Sequence, residues 1–195
     1  MKIHGTAKGG AESKKDFGVA FGGGTPEVTY WYEQPLQNNA LILSAGLNYR
    51  WTILAAKNTT GSDQSTTTLD VYLSQRPDGS ATALIYGGIW NASQVQIATG
   101  LYEDGALDAS TLDHALSTDT KPEYTFTFDR TDVPNNGFVG IYTATVETAD
   151  NWTQVGVKQD TSPCSTWGIG NEANPPATTW QPAYTSACFT CKIGG

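Results

Sequence analysis

Glu123-Tyr-Thr-Phe-Thr-Phe-Asp129 is the stretch that decides how this chain is read. Its aromatic residues stand at 124, 126 and 128 and its polar partners at 125, 127 and 129. A strand turns that period of two into one apolar and one solvated face, whereas a helix would scatter it. Leu69-Asp-Val-Tyr-Leu73 repeats the pattern, with Leu69, Val71 and Leu73 set against Asp70 and Tyr72. Outward from these two, strands are expected at Val28–Glu33, Leu41–Leu43, Tyr49–Lys57, Thr68–Gln75, Thr82–Tyr86, Gln94–Ala98, Phe138–Thr148 and Gln154–Gln159. Turn formers punctuate them: Asn58-Thr-Thr-Gly-Ser-Asp63, Arg76-Pro-Asp-Gly-Ser80 and Asp132-Val-Pro-Asn-Asn-Gly137. Short alternating strands between Gly/Pro/Asn turns predict an all-β fold, an antiparallel β-sandwich of jelly-roll or immunoglobulin-like type. Asp108-Ala-Ser-Thr-Leu-Asp-His-Ala-Leu116 fits a short helix capped by Asp108, with Leu112, Ala115 and Leu116 inward, or an ordered loop.

Composition agrees. Among 195 residues there are 27 Thr, 12 Ser and 21 aromatics, and only 15% of the chain is charged. β-Branched and aromatic side chains suit a pleated, half-buried surface. A coiled coil or helical bundle would be rich in Glu, Lys, Leu and Met, and no apolar run approaches the roughly 20 residues that cross a bilayer as a helix. The net charge of −8 is uneven. Residues 1–24 hold Lys2, Lys8, Lys14 and Lys15 against Glu12 and Asp16, which is +2, leaving −10 for the remainder. An acidic body repels phosphate, so no nucleic acid is expected as a partner, and no membrane either.

Three regions follow. Residues 1–27 are a glycine-rich arm that nevertheless carries Phe17, Val19 and Phe21, which alternation would place on one face of an extended segment. A pure linker lacks such groups, so the arm is expected to dock on a neighbour or on its own domain. Residues 28–160 form the sandwich. Residues 161–195 are an ordered, irregular extension rich in Cys, Trp and Pro, because Pro163, Pro175, Pro176 and Pro182 argue against central strands. Within it, Trp167 and Trp180 are the candidate surface anchors. The other tryptophans, Trp31, Trp51, Trp90 and Trp152, are read mainly as core.

Cys164, Cys188 and Cys191 are odd in number, so at least one thiol is free or pairs between chains. A disulfide from Cys164 to Cys188 or Cys191 is the favoured reading, ahead of reduced thiols or a metal held by the Cys188-x-x-Cys191 spacing. Catalytic constellations are wanting. His4 and His114 have no serine elbow to serve. Glu33, Glu123 and Glu147 fall on or beside strands without a spacing that singles out a glycosidase pair. Asp104 and Asp108 lack a calcium-loop pattern. The sequons at Asn58, Asn91 and Asn151 are about as many as this Ser/Thr content yields by chance. We therefore expect no enzyme, no cofactor and no metal.

The N-terminus has no apolar h-region, so no secretory signal is expected. In layout and composition the chain resembles virion accessory proteins such as phage capsid decoration and head- or tail-fibre subunits. Like them it is Thr-, Gly- and Ala-rich and all-β, with an N-terminal arm, here Lys2–Gly24 containing Ser13-Lys-Lys-Asp-Phe-Gly-Val-Ala-Phe21. The resemblance implies a non-catalytic subunit on the virion surface after synthesis in the host cytoplasm. Its implied partners are the major capsid protein or other virion subunits and further copies of itself, a trimer being one such homo-oligomer. The competing expectations are a carbohydrate-binding module or adhesin domain, with a glycan as ligand, and an extracellular filament subunit.

Overall fold

A computed structural model describes residues 28–34, 39–43, 50–77, 79–115, 121–145, 153–159, 166–171, 179–182 and 187–195. Phe17, Val19, Phe21, Cys164, Trp152 and Glu147 lie outside them. The strands in chain order are β1 (Tyr30–Glu33), β2 (Asn39–Leu43), β3 (Arg50–Lys57), β4 (Gln64–Gln75), β5 (Leu84–Trp90), β6 (Gln96–Tyr102) and β7 (Leu107–Asp108). They continue with β8 (Glu123–Val133), β9 (Phe138–Thr143), β10 (Thr153–Gln159), β11 (Thr166–Asn171), β12 (Gln181–Pro182), β13 (Ala187–Phe189) and β14 (Cys191–Gly194). All nine expected strands are present, with ends moved by a few residues. The Asp108 segment forms a 3₁₀ turn, Ala109–Thr111, in which Asp108 accepts from the Ser110 amide at 2.9 Å. Leu112 and Ala115 point inward from it.

The described ladders form one strongly curled, largely antiparallel sheet, in the order β1-β14-β4-β8-β6-β5-β9-β3-β2-β10-β13. β11 lies on β3, β12 on β11 and β7 on β5, and the β2–β3 contact, Leu43 with Trp51, is parallel. β10 also pairs with β4 through Thr153–Val155 opposite Leu73–Gln75. Because β4 and β6 each belong to both halves, hydrogen bonding is continuous where a sandwich would be expected to split into two sheets.

The tail departs most from expectation. It is not irregular where it is described. Thr166–Asn171 and Cys191–Gly194 contain no proline, and they pair fully with β3 and with β4. Pro182 sits in the two-residue β12, a position that leaves a central ladder intact; Pro163, Pro175 and Pro176 lie outside the described residues. β14 lies between β1 and β4, so the last residues of the chain join the first described strand to the body.

Alternation does what the sequence implied. Phe126 and Phe128 on β8 and Leu69, Val71 and Leu73 on β4 enter a single core with Leu54, Ile85, Ile89, Val139, Ile141, Phe189 and Ile193. Each such side chain contributes about 1.5–3 kcal/mol by leaving water. Loop asparagines close one end. Asn58 is fully buried, and its Nδ2 donates to the carbonyls of Ser62 and Val133 at 2.9 and 3.1 Å. That amide is committed to the fold, so the sequon it begins is not available for glycosylation.

Candidate functional site

β5 and β9 are apolar on both faces. Ile85 and Ile89 on one, and Val139 and Ile141 on the other, point to the core. The opposite face is set by register: Tyr86 faces Tyr142, Gly88 faces Gly140 and Trp90 faces Phe138. β3 adds Ile53 beside Tyr142, Ala55 beside Gly140 and Lys57 beside Phe138, and β11 adds Trp167 beside Ala55. Side chains repeat every second residue across a ladder, so these groups share the outer surface of the sheet.

The result is a row of six rings. Tyr86 stacks on Tyr142 with centroids 5.5 Å apart and planes 22° apart. Tyr142 meets Trp90 edge-on at 5.9 Å, and Trp90 meets Trp180 at 5.2 Å. Trp180 lies 4.7 Å from Phe138, which meets Trp167 at 5.8 Å. Offset and edge-to-face pairs of this kind are worth about 0.5–1.5 kcal/mol each beyond the area they bury. The glycines make room for them: a Cβ on Gly88 would lie 2.4 Å from the Trp90 indole. Lys57 closes one end, with Nζ 5.4 Å from the Trp167 ring and 5.9 Å from Phe138.

Only Trp90 and Phe138 are buried in this row; Tyr86, Tyr142, Trp167 and Trp180 keep part of their surface in solvent. Trp167 and Trp180, singled out from the sequence, are thus brought together, both touching Phe138. The sequence reading missed Tyr86, Phe138, Tyr142 and Lys57; Trp90, read mainly as core, is buried. The signal lay in Ile85-Tyr-Gly-Gly-Ile-Trp90 and Phe138-Val-Gly-Ile-Tyr142, where large residues at both parities mark a strand covered on both faces.

The other candidates disperse. Trp51 belongs to the main core, and Trp31 packs against it while donating Nε1–H to Thr66 Oγ1 at 3.1 Å. His114 is exposed, with Nδ1 2.8 Å from the Arg76 carbonyl. Asp108 is spent on its cap, and hydrogen bonds from Ser110 hold its carboxyl below the usual range. Among the described residues no three His, Cys, Asp or Glu side chains gather where a metal would be held. Cys188 is disulfide-bonded and Cys191 is a free, fully buried thiol. Burial, reinforced by the nearby Asp70, pushes the Cys191 thiol well up, away from the reactive thiolate.

Glu33 stands on β1 opposite Lys192, and Glu123 is ion-paired with the same lysine at 2.8 Å. Burial alone would raise the Glu123 carboxyl, but hydrogen bonds from Lys192 and Tyr72 and the lysine charge outweigh it and hold it below its usual value. Alongside, Asp70 accepts from Tyr30 at 2.9 Å and from Thr125 at 2.7 Å. These groups tie β1, β14, β4 and β8 together. No known protein family, curated protein or solved structure matches this chain.

Proposed function

We propose that the chain is a non-catalytic structural subunit of a virion, a capsid decoration or accessory protein that binds the capsid lattice or neighbouring subunits. The observation that carries this reading is the outer aromatic row, in which four of six rings keep part of their surface in solvent. Solvent-facing aromatics backed by a rigid sheet are the side chains that anchor protein contacts, since they bury large areas at small entropic cost. The layout of arm and body supports the same reading, and the curled sheet around one core is compatible with a jelly-roll-type body. Here the interface is the row Tyr86–Tyr142–Trp180–Trp167, and the apolar arm residues are a second contact.

The test is occupancy. Full-length protein added to capsids purified from its source and lacking it is expected to co-sediment. Tyr142→Ala combined with Trp167→Ala is expected to lower occupancy at least tenfold with the body still folded by circular dichroism. Equal occupancy of that variant would overturn the assignment of this surface, and wild-type protein that never co-sediments would overturn the virion reading.

A second reading has its own observation. The stacked Tyr86–Tyr142 pair, at the end of the row away from Trp167, is a platform on which a sugar ring stacks. Glycan-array binding abolished by Tyr86→Ala, without capsid binding, would favour a carbohydrate-binding module instead.

A further inference from the structure

Three of the five large aliphatic side chains that are exposed among the described residues cluster at β6: Val95 just before it, then Ile97 and Leu101 on it, at 58, 43 and 37% exposure. On one side β6 pairs with β5 along Gln96–Gly100. On the other side only Leu101 and Tyr102 reach β8, opposite Thr127 and Phe126. The reason is local. β8 bulges where Thr68 of β4 is opposite Thr127 but Thr66 is opposite Thr131, so Phe128, Asp129 and Arg130 are looped out of the ladder. Thr131 Oγ1 donates to the Asp129 carbonyl at 2.6 Å and fixes that bend. The Phe128 ring turns inward over Gly100 and Gly87, where a Cβ would come within 2.6 and 3.0 Å of it. Two strand edges therefore diverge. At their parting lies a cleft of about 240 Å³ lined by Thr99, Leu101, Glu103, Asp104, Phe128 and Asp129. An exposed edge with outward aliphatic side chains is a template for a further strand.

We infer that this open edge accepts the segment Phe17-Gly-Val-Ala-Phe21 from the N-terminal arm of a second copy of the chain. The inference rests on the reading that the protein works by assembly, and it names the partner. Run antiparallel to β6 short of Leu101, which Thr127 already faces, the segment sets Phe17 against Thr99, Val19 against Ile97 and Phe21 against Val95, so Val19 and Phe21 meet exposed aliphatic groups and Phe17 lies diagonal to Leu101. The inward positions then fall to Gly18 and Ala20, small enough for the space beside Phe128. The same direction brings Lys14 and Lys15 to Glu103, Asp104 and Asp129, joining the +2 arm to an acidic body.

The tether favours a neighbour's edge over the arm's own. Phe21 is seven residues before Val28, a span whose flexible r.m.s. length is about 13–16 Å. From β1 to β6 the sheet order crosses β14, β4 and β8, four strand spacings or about 19 Å, along the convex outside of a curled sheet. The chain's own arm would have to be drawn nearly straight; a second copy's arm meets no such constraint.

Two full-length variants test this. One carries Phe17→Ser, Val19→Ser and Phe21→Ser; the other carries Ile97→Lys and Leu101→Lys, at exposed sites where folding is unaffected. In sedimentation velocity the wild type is expected to self-associate, and each variant alone to associate at least tenfold more weakly. An equimolar mixture, which pairs one good edge with one good arm, is expected to recover a one-to-one complex. Undiminished self-association of both variants would sink the strand exchange while leaving assembly through another surface standing. A monomeric wild type whose arm resists protease, and loses that resistance in the Ile97→Lys, Leu101→Lys variant, would show the arm on its own edge and overturn the second-copy assignment. A wild type with neither self-association nor arm protection would overturn the proposal outright, and, if it also ignored capsids, the assembly reading with it.

Discussion

Gly88 lacks a side chain at a point where another residue's ring already fills the space. The Trp90 indole folds back along its own strand, and three of its ring atoms lie within 3.0 Å of where a Gly88 Cβ would be. Gly88→Ala must move a rigid bicyclic group that also touches Tyr142 and Trp180. We expect a loss of about 1–3 kcal/mol, the usual cost of overpacking, with a reduced near-ultraviolet circular dichroism signal as the aromatic row loosens. Unchanged near-ultraviolet dichroism would mean that the row is not held by this contact. Glu123 acts through charge instead. Its carboxyl is held below the ordinary value, so its contribution is present above the unfolded pKa, about 4.3, and is lost as pH falls through the lower folded value. Both partners are partly exposed, at 24% and 37%, so the contribution is small. Glu123→Gln is expected to lower the denaturant midpoint near pH 7, and the gap from wild type is expected to close below about pH 4. A gap that persists at pH 2–3 would contradict the ion-pair account.

At the scale of the element, β14 matters more than its four residues suggest. It is hydrogen-bonded to β1 on one side and to β4 on the other, and its Ile193 is fully buried in the main core. Ile193→Ala is expected to cost about 2–5 kcal/mol, as for other large-to-small core changes, measured by urea unfolding; a cost below about 1 kcal/mol would mean that the strand is peripheral. Little of this was legible beforehand. β4 and β8 announce themselves because one face is apolar and the other solvated. In Cys191-Lys-Ile-Gly194 a strand of four offers too few residues for a period to emerge, and its partner Val71 is remote in sequence. The prolines nearby drew attention to what the tail excludes and away from the proline-free runs that pair. The aromatic row was half legible for a related reason. Trp167 and Trp180 stood out against a polar tail, but Tyr142 and Trp90 sit in strands apolar on both faces. There, parity cannot tell a core side chain from a surface one.

For the whole molecule the consequence is kinetic. Cys191 pairs with Val71, Thr166 with Ala56, Thr153 with both Leu43 and Gln75, and Val157 with Phe189. Few of the ladders join strands consecutive in sequence; besides the short β11–β12 and β2–β3 contacts there is β5–β6, a hairpin turned by Asn91, which accepts from the Ser93 and Val95 amides. Loop-closure entropy must be met before such distant pairings return any stabilisation, so folds dominated by them form in roughly milliseconds to seconds, against microseconds for local topologies. β10 sharpens the point. Its first residues bridge β2 and β4, but its end pairs with β13, and β1 has no described sheet partner other than β14. The sheet therefore cannot be completed until the last nine residues are in place. With the disulfide kept intact, the main refolding phase followed by tryptophan fluorescence is expected to be slower than about 10 ms. A chain ending at residue 186 is expected to lose cooperative unfolding, because both β1 and the Cys191–Ile193 side of β4 would be stripped of their partners. Sub-millisecond refolding, or a cooperative transition in the shortened chain, would show instead that an inner set of strands folds first and holds alone, with the tail added as trim.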